Sequence, residues 1–183
     1  MARRKYSVKE VLTDLLEVFI ISTVVFIIVY LYVGQLLEVT GESMDPTFVD
    51  KEQIIAEKIS IKFKELERGE IVIFKHPEYN NKLIIKRIVG LPGEEVTITR
   101  GDVYINGQLL DESYLGNSVK TKPSSEISEG EKYIIPENEY VLLGDNRENS
   151  NDSRDWGTLS KDLITGRAFL VYYPLSDLRL VKN

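Results

Sequence analysis

The sequence has no cysteine, a single histidine and no surplus of positive charge. The missing cysteine excludes both a disulfide framework and a thiolate zinc site, so stability rests on packing and redox usage names no compartment. With His76 alone, a multi-histidine metal cluster is excluded and only one residue could serve as the histidine of a Ser-His-Asp triad. The formal net charge of -6 and pI near 5.0 give no electrostatic ground for a nucleic-acid partner, which would need clustered lysine and arginine. No cofactor is implied. What is present, 183 residues with 43% hydrophobic and 28% charged content, suits one folded domain and an anchor.

The anchor is the first clear element. Residues 1–17 form a cytoplasmic-side segment carrying Arg3, Arg4, Lys5 and Lys9. Val18 to Leu37 then run without a charge, and about 20 apolar residues in a helix span roughly 30 Å, one bilayer core. A cleavable secretory signal is the competing reading, but its apolar core is only about 7 to 15 residues and ends in an Ala-x-Ala-like site, which is missing here. The positive flank keeps the N-terminus in the cytoplasm and places residues 38–183 outside, as a single-pass protein of the cell membrane.

Gly41-Glu42-Ser43-Met44-Asp45-Pro46-Thr47 opens that outer domain. A serine beside a membrane becomes a nucleophile only if a base takes its proton. Strand-like runs follow at Glu52–Ile59, Glu70–Lys75, Lys82–Val89, Glu95–Thr99 and Asp102–Ile105, with turn chemistry at Arg100-Gly101 and Asn106-Gly107. Leu110 to Glu131 is polar and without period, a surface excursion with no assigned function. Strands resume at Lys132–Ile135, Glu139–Leu143 and Ala168–Tyr173.

At period two, Lys86 shares a face with Ile84 and Ile88, and Arg87 shares the other with Leu83, Ile85 and Val89. Burial lowers a lysine pKa and leaves arginine charged, so only Lys86 could become a base. On pattern alone, a lysine on an exposed edge or paired with a carboxylate is the commoner case. The polar run Gly144 to Gly157 directly follows an apolar strand. It reads either as a solvated turn or as a scaffold braced by Asn, Asp, Ser and Arg. Its acidic spacing does not fit a calcium loop, and Arg147 and Arg154 oppose a cation.

Together these segments resemble the bacterial type I signal peptidases, most closely the short single-anchor form of Gram-positive bacteria. The resemblance rests on one N-terminal anchor, SMDPT at Ser43–Thr47, RGEIVIF at Arg68–Phe74, KRIVGLPGE at Lys86–Glu94 and GDNRENSNDSRDWG at Gly144–Gly157. It implies a mainly β fold, with a single transmembrane helix followed by an antiparallel β-barrel-like domain. It also implies a serine endopeptidase that removes signal peptides from exported preproteins after small residues, at Ala-x-Ala-like sites, with those peptides and the lipid bilayer as partners. Ser43 would be the nucleophile and Lys86 the general base. Ser150 would orient the lysine, Asp145 and Arg147 belong to the same motif, and Asp152 with Arg154 would brace the site. The Ser43 backbone N–H would hold the oxyanion; Gly41, where some members have a serine, offers no hydroxyl. Pro92-Gly93-Glu94 replaces the family's Pro-Gly-Asp. Ile71, Ile73 and Ile85 are candidates for lining the substrate pockets. The alternatives are a related Ser-Lys protease with another substrate, such as the self-cleaving repressors, or a non-catalytic membrane-tethered β-domain. Oligomeric state is left open.

Overall fold

The computed structural model describes residues 7–28, 34–76, 82–116 and 119–182. Helix α1 (Val8–Ile28) starts at a reciprocal cap, with Glu10 N–H donating to the Ser7 hydroxyl and Ser7 N–H donating to the Glu10 carboxylate. Its apolar residues from Val18 to Ile27 are exposed. Among the described residues no helix is long and apolar enough to cross a membrane. The expected anchor at 18–37 is corrected at its end: Gly34–Glu38 is a strand, β1, and residues 29–33 lie outside the described residues.

The remaining strands are β2 (Gln53–Glu57), β3 (Ile71–Lys75), β4 (Leu83–Gly90), β5 (Glu95–Thr99), β6 (Asp102–Ile105), β7 (Gln108–Leu109), β8 (Tyr133–Ile134), β9 (Glu139–Leu143), β10 (Leu159–Ser160), β11 (Ile164–Tyr173) and β12 (Arg179–Leu180), with a one-turn helix α2 (Ser153–Trp156) after β9. They form an eight-stranded sheet in the order β1-β2-β11-β3-β4-β9-β10, with β12 also on β11, and a four-stranded sheet in the order β7-β6-β5-β8. All these strand pairs are antiparallel. The expectation of a barrel-like domain is corrected here. Among the described residues the large sheet runs from an edge at β1 to an edge at β10 and does not close.

Local sequence accounts for much of this. Arg100-Gly101 joins β5 to β6 and Asn106-Gly107 joins β6 to β7, all four residues at positive φ, the conformation that matches hairpin twist. Alternation splits β3: Ile71 and Ile73 enter one buried cluster with Met44, Phe48, Ile54 and Val171, while Val72 and Phe74 enter another with Ile88, Tyr140 and Leu142. A third cluster, around Val96, Ile98 and Val103, joins the small sheet to Val89 and Leu143. Strand β4, which carries Lys86, contributes residues to all three. The stretch 110–131 is not wholly a surface excursion, since Thr121 and Ile127 are each only 1% exposed.

Candidate active site

Two segments distant in sequence meet at the start of the polar run. Gly144 follows β9, and beyond it Asn146 N–H donates to the Ser43 carbonyl at 3.1 Å while the Asn146 amide reaches the Glu42 carbonyl at 3.1 Å. The turn after Ser43 is closed by Phe48 N–H to the Met44 carbonyl, with both side chains buried. Burying Met44 and Phe48 ties the turn to the core beneath it and leaves Ser43 half-buried at the surface.

Lys86 lies in this corner. Its Nζ donates to Ser43 Oγ at 2.6 Å, and the residue is only 2% exposed. Burial pushes the lysine pKa down to about 8; the carboxylates of Asp152 and Asp145 oppose that fall, and Arg154 adds to it. A surface edge lysine is therefore excluded. An amine that is about half neutral near pH 8 and touches a serine hydroxyl can take its proton.

The other expected residues build the wall behind this contact. Asp145 accepts two bonds from Arg87, at 2.9 and 2.7 Å, and one from the Thr47 hydroxyl at 2.5 Å. Arg87 also donates to the Gly69 carbonyl, and its guanidinium lies 4.0 Å from the Tyr114 ring centre. The pair is fully buried, and removing one partner of such a pair costs about 3 to 5 kcal/mol. It fixes Arg87, the neighbour of Lys86, against the turn that carries Ser43. Arg147 donates to the Gly144 carbonyl and to Glu112, so it ties the loop to the excursion rather than touching Ser43 or Lys86. Asp152 caps α2, accepts Gly144 N–H at 3.0 Å and receives two bonds from Arg154, each 2.8 Å. Although burial alone would raise its pKa, Arg154 and these bonds hold the Asp152 carboxyl below its ordinary value.

Ser150 differs from expectation. Among the described residues its buried hydroxyl has no partner of hydrogen-bond geometry and none to Lys86. It stands beside Asp152 instead, close enough to favour the charged carboxylate. Among the described residues Ser43 N–H donates to no protein group. Gly41 has a positive φ, its N–H is bound to Asp50, and a side chain there would meet nothing within 4 Å.

Sequence reading missed Thr47, Tyr114 and Glu112, and it raised Arg87 only as a costly buried charge. Arg87 on an apolar strand was the usable signal, because it called for a buried carboxylate. Nothing in the polar excursion marked Tyr114 or Glu112.

A groove of about 470 Å³ leads to Ser43 and Lys86 and is lined by Leu37, Val39, Ile54, Ile73, Leu83 and Ile85, among others. Of the expected pocket residues, Ile73 and Ile85 line it; Ile71 is buried in the core next to it. His76 lies elsewhere in the core pattern: it is buried, and its ring packs edge-on against Trp156 at 5.5 Å. His76→Ala is therefore expected to lower stability by about 1 to 3 kcal/mol through lost packing and to leave cleavage rates nearly unchanged. Thermal unfolding and initial rates on one sample check both halves; a large loss of rate in folded protein would restore a histidine mechanism.

Residues 12–173 match the family described as signal peptidase, peptidase S26. A probable signal peptidase I-2 of Synechocystis is 37% identical over 158 residues, covering 83% of this chain and 69% of that protein. Signal peptidase IB of Staphylococcus aureus strain Mu50 is 34% identical over 181 residues, covering 91% and 93%. A signal peptidase I structure from Enterococcus faecalis V583 is 30% identical, covers 57% of this chain and 97% of that one, and superposes with a TM-score of 0.48. The chain belongs to the signal peptidase family, peptidase S26.

Proposed function

We propose that this protein is a membrane-anchored serine endopeptidase that removes signal peptides from exported preproteins after small residues. The observation that carries the reading is the 2.6 Å contact between Ser43 Oγ and a buried Lys86 at the end of an apolar groove. Neutral Lys86 takes the Ser43 proton as the hydroxyl attacks the peptide carbonyl. The C–N bond breaks as the lysine returns the proton to the leaving amine. The lysine then takes a proton from the water that attacks the acyl group and returns it to Ser43 Oγ as the acyl–oxygen bond breaks. Charge that develops on the carbonyl oxygen is met by Ser43 N–H, with no side-chain hydroxyl at Gly41. Asp145 and Arg147 keep the loop and the turn in register, and Asp152 with Arg154 fixes the strand end beside Lys86.

The groove lies between two extended segments, residues 37–40 and 82–86. That form suits an extended peptide with small apolar side chains facing Ile73 and Ile85.

Residues 1–17 lie on the cytoplasmic side in this reading, and the apolar run that begins at Val18 in α1 anchors the chain once. Residues 38–183 act outside. A row of partnered residues on the outer face of the large sheet supports a position at the lipid surface. Leu36 stands opposite Ile55, Ile55 opposite Leu170, and Leu170 opposite Leu180. Partners across a ladder share a face, and Leu36 and Leu180 are 54% and 62% exposed. The row begins at β1, just after the anchor, where a signal peptide's own apolar core would deliver its cleavage site. Incubating the full chain in detergent with a preprotein and mapping the new N-terminus by mass spectrometry tests the reading, with Ser43→Ala as control. One cut after a small residue, absent from the control, is expected; a cut that persists in the control refutes the reading.

A further inference from the structure

The face of the sheet opposite that exposed row holds a basic residue that the mechanism does not use. Leu37 stands opposite Ile54, Ile54 opposite Val171, and Val171 opposite Arg179. Ile54 and Val171 belong to the buried cluster beneath the Ser43 turn, and Leu37 packs against it half-buried. Arg179 ends the row, so its side chain projects under that turn from β12. The family match ends at residue 173, and β12 lies beyond it.

The contacts are specific. Arg179 donates to both carboxylate oxygens of Glu52, at 2.6 and 2.9 Å, and to the Thr47 carbonyl at 2.8 Å. Its guanidinium carbon lies 5.9 Å from the centre of the Phe48 ring. The Glu52 side chain is only 4% exposed, and it also accepts Val49 N–H at 3.1 Å. Thr47 is thus held at two points, its hydroxyl on Asp145 and its carbonyl on Arg179. Ser43 is held separately by Asn146 through its own carbonyl. The β11–β12 ladder has only two residue pairs, and a short ladder of this kind adds little stability alone. The charged clasp therefore fixes the hairpin and the turn together.

We propose that Arg179 is a positioning residue for cleavage, holding the Ser43–Phe48 turn at the distance Lys86 requires. The inference rests on Ser43 being the nucleophile. Arg179 does not line the groove, so its loss acts on turnover and not on peptide binding. A misplacement of about 1 Å in a reacting group can cost on the order of 100-fold in rate.

The test is steady-state cleavage of a synthetic signal-peptide substrate by the full chain in detergent, with kcat per folded molecule fixed by circular dichroism and thermal unfolding. Arg179→Ala is expected to lower kcat by on the order of 10- to 100-fold, with KM within about twofold of the original. Arg179→Lys keeps one donor and the charge and recovers part of the loss. Because Arg179→Ala strands a buried carboxylate and could fail to fold, Glu52→Gln with Arg179→Ala removes that charge and should show the same fall in kcat. Unchanged kcat in the folded double variant overturns the proposal, as does a KM effect without a kcat effect. Ser43→Ala, run alongside, separates the two failures. Cleavage by Ser43→Ala defeats the nucleophile assignment, whereas an inactive Ser43→Ala beside fully active Arg179 variants defeats only the positioning role.

Discussion

Ser43→Ala and Lys86→Ala are each expected to lower signal-peptide cleavage by on the order of 10⁴-fold or more while the fold stays intact. Losses of that size are what removing either half of a nucleophile–base pair brings, because the two residues act as a unit and neither leaves a partial mechanism behind. Ser43 is half-buried, so the missing hydroxyl changes stability little. Lys86 is buried and its ammonium is disfavoured by burial, so Lys86→Met removes the base without leaving an uncompensated charge. Lys86→Arg keeps the length but not the chemistry, since arginine stays protonated in essentially any protein site; it too should be inactive. Initial rates on a purified preprotein, with circular dichroism on each variant, check this. Activity within tenfold of the original in folded Ser43→Ala or Lys86→Ala would defeat the dyad.

The second large effect is expected from Gly144→Ala, a substitution outside the dyad. A Cβ at Gly144 would stand 2.5 Å from the Ser43 carbonyl oxygen and would also overlap the Ser150 side chain. The backbone φ there does not require glycine; the conflict is with the neighbours. The Ser43 carbonyl is itself bound by Asn146, two residues on, and Gly144 is bound at both its N–H and its carbonyl, by Asp152 and Arg147. Little room remains to give way, and the displacement passes to Ser43. Overpacking of this kind costs about 1 to 3 kcal/mol in stability, and the shift in the reacting group costs on the order of 100-fold in kcat/KM. Rates with a calorimetric unfolding scan decide it. A Gly144→Ala protein as active as the original would mean that the loop moves freely against Ser43.

Much of this arrangement was readable in the residues because its parts are local. Alternation marked the strands, and Arg100-Gly101 and Asn106-Gly107 marked two hairpins. The motif residues located both halves of the contact between Ser43 and Lys86, which the fold brings together over 43 positions.

The rest depended on pairing between distant segments. Gly34–Leu37 continues the apolar run by composition, yet it forms an edge strand because Ile54 and Ile55 of β2 lie beside it. Strand β11 begins at Ile164 instead of Ala168, since Thr165, Gly166 and Arg167 break the apolar pattern. At Gly166 a side chain would meet the Glu57 carbonyl at 2.8 Å, so the glycine marks a close approach between strands. Ile127 and Thr121 are single buried residues in a polar stretch, and one residue has no period. Arg87 asked for a carboxylate partner, but only the fold could name Asp145.

The most direct test of the central claim is the pH dependence of kcat/KM on a signal-peptide substrate in the unliganded range of conditions where the protein stays folded. As the proposed base, Lys86 would act only when neutral, so protonation would remove activity as pH falls. With its pKa pushed down to about 8 by burial, the rate should lie on a plateau at higher pH and fall tenfold per pH unit well below an acidic midpoint near 8. A free lysine would place that midpoint near 10.4. An acidic limb near pH 8 is the expected result; a rate that rises only above pH 10, or that stays level down to pH 6, would contradict a buried neutral lysine as the base that activates Ser43.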